Sequence, residues 1–174
     1  AKAHFYPQLQ FLAQALHSGQ SPFWAPQVFG GHPQIADPQS LIFSPPLLLL
    51  ALFDGNPDFR AADATIFAML LLGALALLLM FRDRGWHPAG ALVTGLSFAF
   101  GASAAWRLQH LGQILSLSWF AITLFLLSRA LERRSAGYGF ASGLTAGFMV
   151  LGRDQVALLG VYVLAGLVIA AWFT

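Results

Sequence analysis

Two aspartates in this chain carry carboxylates that could act as a general base, and each lies near other polar side chains. Asp37 shares a loop with His32 and Gln39, and Asp154 follows Arg153 between two apolar runs. A carboxylate can accept the proton of an attacking hydroxyl, and cations can stabilise the charge that develops on a phosphate. Ionisable groups that interrupt apolar runs are costly and therefore suggest a function. We identify Asp37 and Asp154 as the candidate catalytic residues.

The candidate binding residues are polar side chains of the same loop and of the ends of the apolar runs. Arginine and histidine could contact a phosphate group, and amides could form hydrogen bonds with a polar substrate. The set consists of His32, Gln39, Arg107, His110, Gln113 and Arg153. His32 and Asp37 could also contact a divalent cation such as Mg²⁺ or Mn²⁺, but the sequence fixes no third ligand, so the metal ligands stay open.

Most of these residues also have a structural interpretation, which the sequence leaves open. Asp37 precedes a proline and could be a turn former. Arg153 and Asp154 could pair with each other in a tight turn between two helices. Arg107 could extend its cation toward lipid headgroups, and His110 could be a structural hydrogen-bonding residue.

The composition indicates that lipid is the solvent for most of the chain. Of its 174 residues, 57% are hydrophobic and only 9% are charged, whereas a soluble domain carries about 25% charged residues. A net charge of +2 provides no basic patch for nucleic acid. The absence of cysteine excludes disulfides and thiol chemistry, and the sequence contains no nucleotide-binding glycine motif. These features exclude a soluble nucleotide enzyme and a nucleic-acid-binding module.

Apolar runs divide the chain into an outer segment and a membrane bundle. A bilayer core of about 30 Å needs about 20 apolar residues to cross it. We expect five spans, at 61–81, 87–105, 111–131, 137–151 and 155–173. The run 41–53 is too short to cross and contains Pro45-Pro46, which would interrupt a helix interior, so we predict a re-entrant or partial segment. The predicted fold class is all-α, a polytopic transmembrane helix bundle over 47–174 that carries an outer-face segment over 1–46.

Two further patterns concern the orientation and the packing of these spans. Two short loops hold five of the nine Lys and Arg residues, namely Arg82, Arg84, Arg129, Arg133 and Arg134. This excess of positive charge predicts that both loops are cytoplasmic and that the segment 1–46 faces outward. Gly139, Gly143 and Gly147 form a ladder of small residues, which we expect to pack against another helix.

The segment before the first span is predicted to form a short helix followed by a long loop. Pro7 is expected to begin the helix and Gly19 to end it, with Leu9, Leu12 and Leu16 at helical spacing. This pattern predicts an amphipathic helix that lies on the outer interface or packs on the bundle. The loop that follows is rich in proline, glycine and aromatic residues, and loops of this length are either disordered or functional. Its aromatic side chains favour an ordered loop that forms a wall of an active site.

Residues 5–46 also show a specific succession of motifs. They are Phe5-Tyr6-Pro7, Leu16-His17-Ser18-Gly19-Gln20-Ser21-Pro22-Phe23-Trp24-Ala25-Pro26, Phe29-Gly30-Gly31-His32-Pro33, Ala36-Asp37-Pro38-Gln39 and Phe43-Ser44-Pro45-Pro46. This succession resembles the first outer loop of bacterial YfhO-type membrane proteins, which have the GT-C glycosyltransferase architecture. Ala25 stands where that family usually has asparagine, and the resemblance over the later spans is only general.

The resemblance implies a GT-C-like fold and a glycosyltransferase of the bacterial inner membrane, with its active face outward. Such an enzyme transfers a sugar from a polyprenyl-phosphate donor to a cell-envelope glycan or lipid. GT-C enzymes usually carry a catalytic aspartate soon after their first transmembrane helix, and we expect this chain to be a fragment that lacks that helix. The alternatives are a transporter, a lipid-binding membrane protein or a scaffold without catalysis; we find no internal repeat that would favour a transporter.

Overall fold

The computed structural model describes residues 2–26, 28, 30–37, 40–102, 110–152 and 154–173, and this part of the chain is mostly helical. The prediction of an all-α chain is confirmed. The helices are α1 (Lys2–Ser18), α2 (Pro45–Phe53), α3 (Phe59–Asp83), α4 (Pro88–Phe100), α5 (Leu111–Arg133), α6 (Ala136–Val150) and α7 (Gln155–Phe173). The chain forms two compact units, Ala1–Phe67 and Ala68–Thr174.

The first unit is built on the packing of α1 against α2. Leu9, Leu12 and Ala13 of α1 are buried, so the apolar spacing of the sequence correctly marks the packed face. The prediction that Pro7 begins this helix is wrong, because α1 starts at Lys2 and contains Pro7 in its interior. A proline there removes a single amide donor. The preceding turn is fixed by Tyr6, whose ring stacks on that of Phe59 with centroids 3.8 Å apart.

The end of α1 follows the prediction. Gly19 has a φ of +68°, a left-handed conformation that glycine adopts without steric cost. The N–H of Gln20 donates to the carbonyl of Ala15 at 2.8 Å, and the N–H of Gly19 to that of Leu16 at 3.5 Å. This pair of bonds is the Schellman motif, which satisfies carbonyls at a helix end.

The proline pair begins α2 instead of interrupting it. Pro45 and Pro46 occupy the first turn of the helix, where the amides have no helical partner and proline is well tolerated. With nine residues and a rise of about 1.5 Å per residue, α2 is roughly half as long as a bilayer core is thick.

The second unit is organised around α5, which packs against α6 and α7. Met149 of α6 and Ala157 and Leu164 of α7 form a buried cluster, and Trp119 of α5 packs against it. Thr123 and Thr145 add a hydrogen bond of 2.9 Å between α5 and α6. In the same unit Gly73 of α3 faces the ring of Phe98, and its missing Cβ allows this close approach.

The helices α3, α5 and α7 are long and apolar enough to cross a membrane. They correspond to the predicted spans 61–81, 111–131 and 155–173. The other two predicted spans, 87–105 and 137–151, overlap the shorter helices α4, with 13 residues, and α6, with 15.

The glycine ladder of α6 does not pack as expected within the part of the chain that the structure describes. A Cβ built on Gly139, Gly143 or Gly147 would meet no atom within 4 Å. Met149 of α6 is buried instead, in the cluster against which Trp119 of α5 packs.

The two arginine-rich loops of the sequence come together at one end of the second unit. The guanidinium of Arg129 on α5 binds both carboxylate oxygens of Asp83 at the end of α3, with Nη2 and Oδ1 3.1 Å apart. It also lies over the ring of Phe125, 4.3 Å from the centroid. Arg84 and Glu132 form a second ion pair at 3.5 Å. These contacts fasten the end of α3 to the end of α5.

Candidate functional site

The loop between α1 and α2 folds back on itself and brings His32 close to Asp37. Trp24–Ala25 and His32–Pro33 pair as two short antiparallel strands, with Ala25 opposite His32. A 3₁₀ turn, Gln34–Ala36, follows directly, and Asp37 comes at its end. These elements give the described part of the loop a defined backbone hydrogen-bonding pattern.

The carboxylate of Asp37 is held by groups from two parts of the first unit. The side-chain amide of Gln8 on α1 donates to Oδ2 at 3.1 Å. Nε2 of His32 lies 3.7 Å from the same oxygen, and the two side chains are 15% exposed for Asp37 and 38% exposed for His32. Asp37 is therefore largely shielded from solvent, while the histidine beside it stays accessible.

The backbone of this turn is fixed by Ser40. Its hydroxyl lies 2.8 Å from the carbonyl of Asp37 and 2.9 Å from that of Gln34, as a donor to both. The N–H of Asp37 donates to the carbonyl of Gln34 at 3.2 Å. These bonds fix the backbone of Asp37 in a turn, as expected for a turn former.

Three residues of this arrangement were not anticipated from the sequence, namely Gln8, Gln34 and Ser40. Gln34 is only 3% exposed, and its Oε1 has no hydrogen-bond partner among the described residues. Glutamine and serine are common surface residues, so their types gave no signal. Only the folding of the loop onto α1 brings Gln8 to Asp37.

Asp154 lies in the second unit and makes structural hydrogen bonds through both carboxylate oxygens. Oδ1 accepts the N–H of Ala157 at 2.9 Å, which makes Asp154 the N-cap of α7. Oδ2 accepts the hydroxyl of Ser116 on α5 at 2.7 Å. A Cβ on Gly152 would overlap the Ser116 hydroxyl, so this close approach requires glycine. These contacts give Asp154 a structural role that requires no part in a reaction.

His110 and Gln113 lie at the first turn of α5, on the same helix as Ser116. The side chain of His110 is exposed, and its carbonyl accepts the N–H groups of Gln113 at 2.9 Å and Ile114 at 3.3 Å. Gln113 is half-buried. Gln113 and Ser116 are three residues apart and therefore lie on one face of α5.

The remaining predicted site residues, Gln39, Arg107 and Arg153, lie outside the residues that the structure describes. Within the described part, no three His, Asp or Glu side chains group together in a way that could hold a metal ion. His32 and Asp37 alone would provide two ligands, and we derive no step through a metal.

Comparisons with known proteins found no relative. A scan against protein-family models, a search of curated proteins and a search of solved structures all returned no match.

Proposed function

We propose that this chain belongs to a polytopic, GT-C-like glycosyltransferase of the bacterial inner membrane, with Asp37 as the catalytic base on the outer face. The observation that carries the proposal is the shielded carboxylate of Asp37, oriented by Gln8 and accompanied by the accessible imidazole of His32. Among the described residues, three helices are long and apolar enough to cross a membrane, which supports the membrane part of this proposal. The donor is a polyprenyl-phosphate sugar, and the acceptor is a cell-envelope glycan or lipid.

In the proposed reaction, the acceptor hydroxyl oxygen forms a bond to the anomeric carbon of the sugar. The bond between that carbon and the phosphate oxygen breaks, and the polyprenyl phosphate leaves with the electron pair. Asp37 takes the proton of the acceptor hydroxyl, a role that a positioned carboxylate can perform. His32 lies beside the carboxylate and would contact the substrate.

Of the other candidate residues, Gln39 follows Asp37 by two positions in the same loop and would bind a polar group of the donor. Asp154 was the second candidate base, and we assign it a structural role instead, because both of its oxygens accept hydrogen bonds from the second unit itself.

Transfer of a labelled sugar tests the proposal. The protein would be reconstituted in lipid nanodiscs and given farnesyl-phosphoryl glucose or farnesyl-phosphoryl mannose, labelled in the sugar, with a cell-envelope extract as the acceptor. We expect labelled product together with released farnesyl phosphate. Asp37→Asn should reduce the rate about 100-fold or more, the usual contribution of a general base. Binding of the donor without any transfer would instead favour the transporter or the lipid-binding protein.

A further inference from the structure

The loop that carries Asp37 also presents an exposed tryptophan in a fixed position. Ala25 is fully buried, and Trp24, its neighbour on the extended strand, is 52% exposed, as expected for side chains that alternate between two faces. A Cβ built on Gly31 would overlap the six-membered ring of the Trp24 indole, and Gly31 has a φ of +129°. The indole therefore lies close against the Gly31 backbone, while about half of the Trp24 surface stays exposed.

This indole and the Asp37 carboxylate belong to the same short segment. Trp24 pairs with Pro33 across the two strands, and Gly31 directly precedes His32, whose imidazole reaches Asp37 at 3.7 Å. The N–H of Ile35 lies 3.4 Å from the carbonyl of Phe23 and connects the 3₁₀ turn to the strands. The aromatic face and the carboxylate are thus held in one folded loop.

The chemistry of this segment matches a hexose. A pyranose ring has an apolar face of C–H groups and an edge of hydroxyls, so it fits an aromatic face with hydrogen-bonding side chains nearby. Binding sites for small molecules combine these features, with aromatic walls and a few placed polar groups. We propose that the Trp24 indole is the platform on which the sugar ring of the donor stacks, an inference that rests on the proposed glycosyltransferase function.

Exposed tryptophan side chains are also common at the interface between a bilayer and water. Phe23, Ile35 and Phe43 are also partly exposed in the same loop. Insertion of this loop into the hydrocarbon layer would, however, desolvate His32 and Asp37, and burial of such groups is costly. The nearby polar groups therefore favour a sugar over lipid as the occupant.

Binding of two matched ligands tests the platform. Farnesyl-phosphoryl glucose and farnesyl-phosphoryl mannose carry the sugar, and farnesyl phosphate lacks it. With the protein in nanodiscs, Trp24→Ala should weaken binding of the sugar-bearing ligands about tenfold, the effect of losing one aromatic contact. Trp24→Phe should restore most of the affinity, and binding of farnesyl phosphate should stay unchanged. Phe53→Ala is the control, since Phe53 is an aromatic residue of the same unit that is 86% exposed.

The possible failures are distinct. If the wild-type protein binds the sugar-bearing ligands and Trp24→Ala binds them equally well, the platform is overturned and the proposed function stands. A loss of affinity that is the same for farnesyl phosphate would also overturn it, because the contact would then be with the lipid chain or the phosphate. If the wild-type protein binds none of these ligands, both proposals fail. The chain has five tryptophans, so quenching of tryptophan fluorescence by brominated lipid would be compared between the wild-type protein and Trp24→Phe. Quenching that is lost in this variant would show an interfacial anchor and would likewise overturn the platform.

Discussion

Two substitutions of Asp154 distinguish a structural role of this residue from a catalytic role. Asp154→Ala removes the N-cap of α7 and the bond that ties this cap to Ser116 on α5. Asp154→Asn changes much less, because its amide oxygen can still accept the N–H of Ala157 and its amide nitrogen can donate to the Ser116 oxygen. A structural role predicts that only the alanine variant is strongly destabilised.

The magnitude follows from the two bonds that are lost. Loss of an N-cap costs about 1 kcal/mol, and a hydrogen bond to a charged group contributes about 1.5–3 kcal/mol. We use the lower end of the range for the hydrogen bond, because in Asp154→Ala the Ser116 hydroxyl can still donate to the carbonyl oxygen of Met149, 3.2 Å away. We therefore expect Asp154→Ala to lower the free energy of unfolding by about 2–3 kcal/mol and Asp154→Asn by about 1 kcal/mol or less.

The assay is unfolding in detergent micelles by titration with SDS, followed by the helical circular dichroism signal. Asp58→Ala is a matched control. Asp58 also caps a helix, with Oδ1 2.7 Å from the N–H of Ala61. Its side chain makes no hydrogen bond to a second helix among the described residues, so its loss should cost only about 1 kcal/mol. A double-mutant cycle between Asp154→Ala and Ser116→Ala should give a coupling of about 1.5 kcal/mol.

Two results would refute this reasoning. A coupling energy near zero would mean that the Ser116 bond does not contribute to stability. Loss of sugar transfer in Asp154→Asn, with unchanged stability, would mean that the carboxylate of Asp154 acts in the reaction and that its structural assignment is wrong.

Two further predictions concern packing and charge in the second unit. Gly73→Ala should lower the free energy of unfolding by about 1–2 kcal/mol, because the new methyl group would overlap the ring of Phe98. Gly143→Ala should be neutral or stabilising, because Gly143 faces open space. Thermal unfolding of both variants checks this, and equal unfolding midpoints would contradict it. Asp83→Asn should lower stability by about 1 kcal/mol because it weakens a two-point bond to Arg129, and Glu132→Gln, from a more exposed ion pair, should have a smaller effect. If Glu132→Gln proved the more damaging of the two variants in SDS titration, the interpretation of this charged end would be wrong.

The sequence predicts a helix reliably where the length of an apolar run alone determines the secondary structure. The runs 61–81, 111–131 and 155–173 became α3, α5 and α7, because an apolar run of that length is helical in any membrane-like packing. The proline positions were less predictable. Pro45-Pro46 begins α2 and Pro7 lies inside α1, since the position of a proline within a helix depends on where tertiary contacts fix the start.

The site was predictable in its residue types but not in its contacts. Asp37 and His32 were selected from the sequence, and the loop brings them together. Gln8 could not be found, because it reaches Asp37 from a helix 29 residues earlier in the chain. The bond between Ser116 and Asp154 spans 38 residues and depends on the packing of α5 against α7. Local patterns carry no information on either pairing.

The most direct test of the proposed function is the steady-state kinetics of Asp37→Asn with farnesyl-phosphoryl glucose or mannose in nanodiscs. Asparagine keeps the size of the side chain and its ability to accept the bond from Gln8, so the loop should stay folded and the donor should still bind. If Asp37 is the base, kcat falls about 100-fold or more while KM changes by less than about twofold. A variant that retains the wild-type kcat would contradict the assignment of Asp37 as the catalytic base.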